Sequence, residues 1–121
     1  MDNKPEFRVI IAGGRDYTDY DRVCRVCNYQ LKNKLVNSTV IVVCGMAAGA
    51  DYLGAQWARS LGLKVEEFPA DWKRLGRAAG PIRNQQMADV ANGLIAFPGG
   101  SGTADMIRRA EAKDLIVRVI K

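Results

Sequence analysis

The sequence predicts an α/β fold in which about five parallel strands form one doubly wound sheet with helices on both faces. Two observations predict this fold. Short apolar runs alternate with segments of helical periodicity along the chain, and several runs are apolar at consecutive positions, as in strands that are covered on both faces. Because the chain has 121 residues, the length of one domain, we expect a single Rossmann-like domain over residues 1–121.

Five segments are predicted strands, and four of them end directly at glycine or proline. They cover residues 7–12, 39–44, 63–68, 93–97 and 115–120. Consecutive segments are separated by stretches of helical periodicity, and strands that alternate with helices pair in parallel through crossover connections.

Two helices are predicted in the first half of the chain. The first follows Thr18 or Asp19, either of which can cap it. Its apolar residues keep a helical spacing, and they are Val23, Cys27, Leu31 and Leu35. The second covers residues 51–61 and ends at Gly62, a residue type that commonly ends helices.

Two more helices are predicted in the second half. One begins near Pro81, because proline fits the first turn of a helix. Its expected buried side consists of Ile82, Met87, Val90 and Ala91. The other covers residues 104–112, with Met106, Ile107 and Ala110 facing inward.

The composition excludes several kinds of chemistry. The chain contains no histidine, which removes the Ser-His-Asp triad, the Cys-His dyad and histidine zinc sites. Cys24 and Cys27 form a C-x-x-C pattern inside a helical segment, and Cys44 is left over, so neither a disulfide framework nor a four-ligand metal site is complete. We therefore expect no metal and no cofactor.

Hydrophobic segments are too short for a membrane protein. No apolar run approaches the roughly 20 residues that span a bilayer, and the chain does not open with a secretory signal. We expect a cytoplasmic protein with no membrane contact. The net charge of +5, from 18 basic and 13 acidic residues, is spread along the chain except for a basic run over residues 73–83.

Three glycine-rich turns follow predicted strands. The carboxyl ends of parallel strands share one edge, and ligands bind where the strand order reverses. Small residues expose backbone N–H groups, and helix N-termini bind anions. The candidate ligand-binding residues in these turns are Gly13, Gly14, Arg15, Asp16, Gly45, Met46, Gly49, Asp51, Pro98, Gly99, Gly100, Ser101, Gly102 and Thr103. Neither the dinucleotide fingerprint nor the P-loop pattern is present, so the predicted phosphate site is of another kind.

Two side chains in these turns have two interpretations each. Arg15 can bind a phosphate through its guanidinium fork, or it can form a surface ion pair with Asp16 or Asp19. Asp51 can cap the second helix. Alternatively, it can accept a hydrogen bond from a ribose hydroxyl or act as a general base.

The third strand is followed by residues whose role stays open. Trp72 either stacks on a base or covers the core. The cations that follow it, Lys73, Arg74 and Arg77, are expected to steer an anionic ligand or to face solvent.

The motifs resemble those of a known superfamily. The turn C-G-M-A-A-G-A-D at residues 44–51 resembles the S-G-x-A-x-G-x-D turn of the Rossmann-like domain in DNA-processing protein A. Arg83-Asn84 followed by P-G-G-S-G-T at residues 98–103 resembles the corresponding pair in the Lonely Guy phosphoribohydrolases. Both belong to the SLOG superfamily, and the chain resembles its small YspA-like branch over nearly its whole length.

The resemblance implies a nucleotide-type ligand. Its phosphate would rest on the backbone of residues 99–103, beside Arg83 and Asn84. The Lonely Guy motif ends in a catalytic glutamate, but Met106 stands at that position. Asp105 is one residue earlier, about 100° around a helix. Its alternative role is an electrostatic one, in which the carboxylate in the first turn interacts favourably with the positive end of the helix dipole. The candidate catalytic residues are Asp105 and Asp51.

Three functions follow from these observations. The first is binding of a nucleotide or nucleotide-derived phosphorylated ligand, as a sensor or processing protein. The second is hydrolysis of the N-glycosidic bond in nucleoside monophosphates, using Asp105 or Asp51. The third is binding of single-stranded nucleic acid, which the pI of about 9.3 favours and the lack of an aromatic platform disfavours. The resemblance also implies a homodimer or a higher homo-oligomer.

Overall fold

The computed structural model describes residues 4–121 as alternating strands and helices. The strands are β1 (Glu6–Ala12), β2 (Thr39–Cys44), β3 (Lys64–Glu67), β4 (Gly93–Ala96) and β5 (Ile116–Val119). The helices are α1 (Tyr20–Gln30), α2 (Lys32–Asn37), α3 (Ala50–Ser60), α4 (Trp72–Leu75), α5 (Ala79–Val90) and α6 (Ser101–Ala112), and a 3₁₀ turn (Gly76–Ala78) joins α4 to α5. In this part of the chain, no helix has the length and apolarity that crossing a membrane requires.

The five strands form one parallel sheet in the order β3-β2-β1-β4-β5. In the register of the sheet, Val9 of β1 lies opposite Val42 of β2 on one side and Gly93 of β4 on the other. The chain moves outward from β1 to β3 and then returns to the other side of β1, so the strand order reverses between β1 and β4. The predicted fold class is confirmed, and ligand sites in such sheets form at this point.

A hydrophobic layer covers each face of the sheet, because neighbouring residues of β1 point to opposite faces. Val9 and Ile11 pack with Val23, Cys27 and Trp57 from α1 and α3. The opposite face contains Ile10, Ala12, Met87, Leu94, Met106 and Ala110, which brings in α5 and α6. The central strands are buried on both faces, which explains their continuous apolar sequence.

The predicted first helix is interrupted at Leu31. Asp19 caps α1 by accepting a 3.0 Å hydrogen bond from the backbone N–H of Arg22. Leu31 has a ψ of 8° and separates α1 from α2, although its N–H still donates to the carbonyl of Cys27. Val23, Cys27 and Leu31 are buried, so the apolar spacing identified the buried face correctly. After the interruption at Leu31, α2 packs against β2.

The predicted buried side of α5 is partly wrong. Met87 and Ala91 are buried, but Ile82 is 42% exposed and Val90 is 44% exposed. The helix instead turns small residues, together with Asn84 and Met87, towards the protein. Small residues allow close packing against the sheet but contribute little to a hydrophobic pattern, so the pattern wrongly placed Ile82 and Val90 on the buried side.

Candidate functional site

Gly14 connects the three glycine-rich loops through its backbone. Its N–H donates a 2.9 Å hydrogen bond to the carbonyl of Pro98, after β4. Its carbonyl accepts hydrogen bonds of 3.2 Å from the N–H groups of Tyr17 and of Ala50, the first residue of α3. The loops that follow β1, β2 and β4 therefore meet at the reversal of strand order, as the sequence predicts.

A cavity of about 630 Å³ opens beside this junction. Its volume lies in the range that small-molecule sites occupy. The predicted site residues that line it are Gly13, Gly14, Arg15, Asp51, Arg83, Asn84, Gly100, Ser101, Gly102, Thr103 and Asp105.

Other predicted residues lie outside the larger cavity. Gly45 and Met46 line a smaller cavity of about 320 Å³. The predicted residues that line neither cavity are Asp16, Gly49, Pro98 and Gly99. Pro98 accepts the hydrogen bond from Gly14, and Gly49 precedes α3 at its N-cap position. These two residues shape the loops and do not face the cavities.

Several more lining residues come from α4, α5 and the 3₁₀ turn between them. The sequence left the role of Trp72 open and expected Arg77 to steer an anionic ligand or to face solvent; Trp72 lines both cavities and Arg77 lines the larger one. Gly80, Pro81 and Met87 also line the larger cavity and were not predicted as ligand contacts. The signal for this region in the sequence was the basic run over residues 73–83. It follows the third strand, whose carboxyl end lies at the same edge of the sheet as the glycine-rich turns.

Buried polar side chains are concentrated in the larger cavity. Among residues 4–121 the buried polar side chains are those of Ser38, Asp51, Asn84 and Thr103, and all except Ser38 line this cavity. Polar groups are rarely buried without a hydrogen-bonding or functional reason. This concentration marks the larger cavity as a polar site inside an apolar fold.

The N-terminus of α6 contributes backbone donors to the cavity. The first helical hydrogen bond runs from the N–H of Ala104 to the carbonyl of Gly100, at 3.0 Å. The N–H groups of residues 101–103 precede it and have no helical partner. The first turn of this twelve-residue helix contains no acidic residue, so its positive end is available to an anion.

Arg83 is held in place beside the cavity. One of its terminal nitrogens, Nη1, donates to the carbonyl of Gly45, and its Nε donates to Oδ1 of Asn84 at 3.1 Å. Within residues 4–121 no carboxylate forms an ion pair with it. These two hydrogen bonds orient the guanidinium, and no salt bridge within residues 4–121 neutralises its charge.

Arg15 and Arg77 are exposed at the same cavity. The alternative ion pairs of Arg15 with Asp16 or Asp19 do not occur, and the Asp19 carboxylate instead caps α1. Neither arginine has a carboxylate partner in the described part of the chain. Together with Arg83 they place three unpaired guanidinium groups around one opening.

Asp51 is the second residue of α3 and is only 6% exposed. Gly49 occupies the N-cap, so the capping interpretation of Asp51 is wrong. Burial raises the pKa of Asp51 to about 6, while the charge of Arg83 and the backbone amides of Ala47 and Gly13 act in the opposite direction. A carboxyl group with this pKa exchanges protons near neutral pH.

Asp105 lies in the second turn of α6, because the helix begins at Ser101 and not at Ala104 as expected. The proposed role in the first turn is therefore wrong. Its carboxylate accepts hydrogen bonds from Asn84 at 3.0 Å and from Arg109 at 2.9 Å. Partial burial acts to raise the pKa of Asp105, but these hydrogen bonds and the arginine charges outweigh it and keep the pKa below its usual value. Asp105 thus lines the cavity as a paired carboxylate.

The raised pKa of Asp51 predicts how stability depends on pH. Between about pH 4 and pH 6 the folded protein keeps a proton that the unfolded chain has released. The free energy of unfolding should therefore fall as the pH rises through this window. Asp51→Asn should remove this slope. Its free energy of unfolding, measured by urea denaturation, should rise relative to that of the wild type by up to about 3 kcal/mol between pH 4 and pH 7.

Asp105→Asn is the matched control. Because the pKa of Asp105 is lowered in the folded protein, its stabilising effect is lost only as the pH falls below about 4. This variant should keep the wild-type slope between pH 4 and pH 6. If the difference in unfolding free energy between Asp51→Asn and the wild type does not change with pH, the pKa of Asp51 is not raised in the folded protein.

Residues 4–121 bring together no group of three or more Cys, Asp or Glu side chains in an arrangement suited to a metal ion.

Comparison with known proteins identifies relatives of the chain. The model of the YspA, cpYpsA-related SLOG family (YAcAr) matches residues 7–75. The Gene 61 protein of Mycobacterium phage D29 is 35% identical over 112 residues, which cover 86% of this chain and 88% of that protein.

Two solved structures share the fold at low sequence identity. DNA processing protein A (DprA) from Streptococcus pneumoniae matches 98% of this chain with a TM-score of 0.74 and 20% identity, and the chain spans half of its length. The structural genomics target TM1055 has a TM-score of 0.69 and 18% identity, and the match covers 93% of this chain and 72% of the TM1055 chain. On the strength of the family match and the phage relative, the chain belongs to the YspA, cpYpsA-related SLOG family.

Proposed function

We propose that this protein binds a nucleotide or a nucleotide-derived phosphorylated ligand, as a sensor or processing protein. One observation carries the proposal: the unpartnered N–H groups of residues 101–103 and the guanidinium groups of Arg15, Arg77 and Arg83 line the same 630 Å³ cavity. Backbone N–H groups at a helix N-terminus and arginine side chains are the groups that proteins use to bind phosphate.

The rest of the cavity favours a ligand larger than inorganic phosphate. Asp51 and Asn84 are buried polar residues on its wall. A carboxylate and an amide oxygen can accept hydrogen bonds from ribose hydroxyl groups. Membership of a SLOG family supports the same class of ligand, since the motif resemblance within that superfamily implies a nucleotide-type ligand.

Hydrolysis of a nucleoside monophosphate is the second candidate function. It is favoured by Asp51, a buried carboxyl group with a pKa of about 6 at the cavity. During cleavage the N-glycosidic bond would break while water adds to the sugar carbon. Protonated Asp51 would give its proton to the departing base, and its carboxylate would then take the proton released by the water.

One experiment separates these functions. The protein is incubated with each nucleoside monophosphate, and both the melting temperature and the release of free base are measured. A rise of several degrees without base release supports binding alone. Base release that is lost in Asp51→Asn or Asp105→Asn supports hydrolysis, with Asp16→Asn as an exposed control outside both cavities.

The same experiment can also contradict both candidates. The name of DNA processing protein A refers to DNA, and the third function is binding of single-stranded DNA. If no mononucleotide raises the melting temperature and single-stranded DNA binds with a steep salt dependence, the first two functions are wrong.

We also propose a homodimer, or a higher homo-oligomer, that completes the open site. Sedimentation equilibrium should then give at least twice the chain mass of 13.3 kDa. A mass of one chain at high protein concentration would contradict this assembly.

A further inference from the structure

We propose that the smaller cavity is the subsite for the aromatic base of the ligand, with Trp72 and Met46 as its walls. The phosphate then lies in the larger cavity. This inference rests on the proposed function, because it divides one nucleotide-type ligand between two adjoining cavities.

The two cavities adjoin and differ in chemistry. Arg15, Ala47, Trp72 and Arg83 line both of them. The other residues of the smaller cavity are Gly45, Met46, Ala48, Pro69 and Ala70. Apart from the shared Arg15 and Arg83, the side chains that line the smaller cavity are apolar, whereas Asn84, Thr103 and the N-terminus of α6 line the larger one. A ligand with one flat apolar end and one anionic end matches this division.

Trp72 stands at the junction with its ring only partly covered. It is the first residue of α4 and is 50% exposed. The tip of its indole ring approaches Gly80 of α5, where a Cβ atom would lie 3.2 Å from Cη2. Within residues 4–121 the pair of aromatic rings in contact is Tyr17 with Phe97, tilted by 42° to each other, so Trp72 has no aromatic partner there.

The other tryptophan, Trp57, has a structural role and differs from Trp72 in burial and hydrogen bonding. Trp57 is 1% exposed, and its Nε1 donates a 2.9 Å hydrogen bond to Asn28. Trp72 has neither this burial nor a protein hydrogen-bond partner in the described part of the chain. A half-exposed indole beside arginines is the arrangement that stacks on bases without base-specific hydrogen bonds.

Met46 also lines the smaller cavity. It is 50% exposed and has a φ of 64°, in the left-handed region that non-glycine residues rarely adopt. Residues in such conformations cluster at ligand sites, where the surrounding structure imposes them. The polarizable thioether of methionine also makes favourable contacts with aromatic rings.

The test compares ligands with and without a base. Affinities of AMP, GMP, CMP and UMP are measured beside that of ribose 5-phosphate, which keeps the sugar and phosphate. We expect at least one nucleotide to bind about tenfold more tightly than ribose 5-phosphate. Trp72→Ala should remove this advantage and weaken ribose 5-phosphate far less than the nucleotide, because Trp72 also lines the larger cavity. Trp72→Phe should retain most of the advantage.

Two further variants and one optical signal support the same test. Met46→Ala and Gly80→Ala should each reduce the advantage, the second because the added methyl group would lie 3.2 Å from the tip of the indole ring and shift it slightly. The base should quench tryptophan fluorescence in the wild type but not in Trp72→Phe, where only the buried Trp57 remains. Circular dichroism verifies that each variant is folded.

The outcomes separate this inference from the proposed function. If nucleotides and ribose 5-phosphate bind equally well to the wild type, or if Trp72→Ala weakens both equally, the base subsite is wrong and the phosphate site stands. If neither nucleotides nor ribose 5-phosphate bind, the proposed function fails and the base subsite fails with it.

Discussion

Replacing Arg83 with alanine is expected to weaken binding of a nucleoside monophosphate by about a hundredfold. Arg83 is half-buried and held by the carbonyl of Gly45 and by Asn84, with no ion pair in residues 4–121. An oriented guanidinium loses little freedom when it binds a phosphate. The alanine variant loses both the charge and the fork, and calorimetric titration measures the loss in affinity.

Two variants control for this effect. Arg83→Lys keeps the charge without the fork, so its affinity should lie between those of the wild type and the alanine variant. Arg118→Ala removes an exposed arginine of β5 whose one side-chain hydrogen bond within residues 4–121 is to the neighbouring carbonyl of Val117, and binding should be unchanged. A folded Arg83→Ala variant with wild-type affinity would show that the ligand lies elsewhere.

Gly49→Ala is expected to cause the largest loss of stability at the site, about 3 kcal/mol or more. Gly49 has a φ of +78°. A Cβ atom there would overlap the carbonyl oxygen of Gly14 and lie 2.6 Å from that of Arg15. Because these are backbone atoms, a rotamer change cannot relieve the clash. The loop after β1 must move, and ligand binding should be lost as well.

Gly62→Ala separates the clash from the cost of the backbone conformation. Gly62 has a similar φ of +72°, but in the described part of the chain no atom outside its two chain neighbours lies within 4 Å of an added Cβ. This variant should lose about 1–2 kcal/mol and keep its ligand affinity. Equal losses of unfolding free energy in the two variants, measured by urea denaturation, would mean that the backbone carbonyls beside Gly49 add nothing to the cost of its conformation.

Much of the fold was predictable because both faces of the sheet are covered. The strand at residues 39–44 was predicted to the residue, since its buried residues 40–44 are apolar at every position and the run ends at Gly45. The weaker third strand, Lys64–Glu67, is an edge strand with exposed and half-buried side chains. Its apolar pattern is correspondingly poor, and the prediction extended it by one residue at each end.

The candidate site was predictable where it depends on strand ends and less so where it depends on tertiary packing. The glycine-rich turns meet because parallel strands share one edge. The positions of Trp72 and Arg77 depend on how α4 and α5 fold back over that edge, and no local pattern encodes this. The raised pKa of Asp51 likewise depends on burial by distant elements, and the register of α6 depends on a start at Ser101 that precedes the apolar pattern.

The most direct measurement is a titration of the ¹⁵N-labelled protein with nucleoside monophosphates, followed by the amide chemical shifts of each residue. If one site binds the ligand, the amides of residues 13–15, 45–51 and 100–103 should shift together, with a common dissociation constant. Unchanged shifts in all three loops at millimolar nucleotide, or shifts confined to surfaces away from the two cavities, would contradict the assignment of this edge of the sheet as the ligand site.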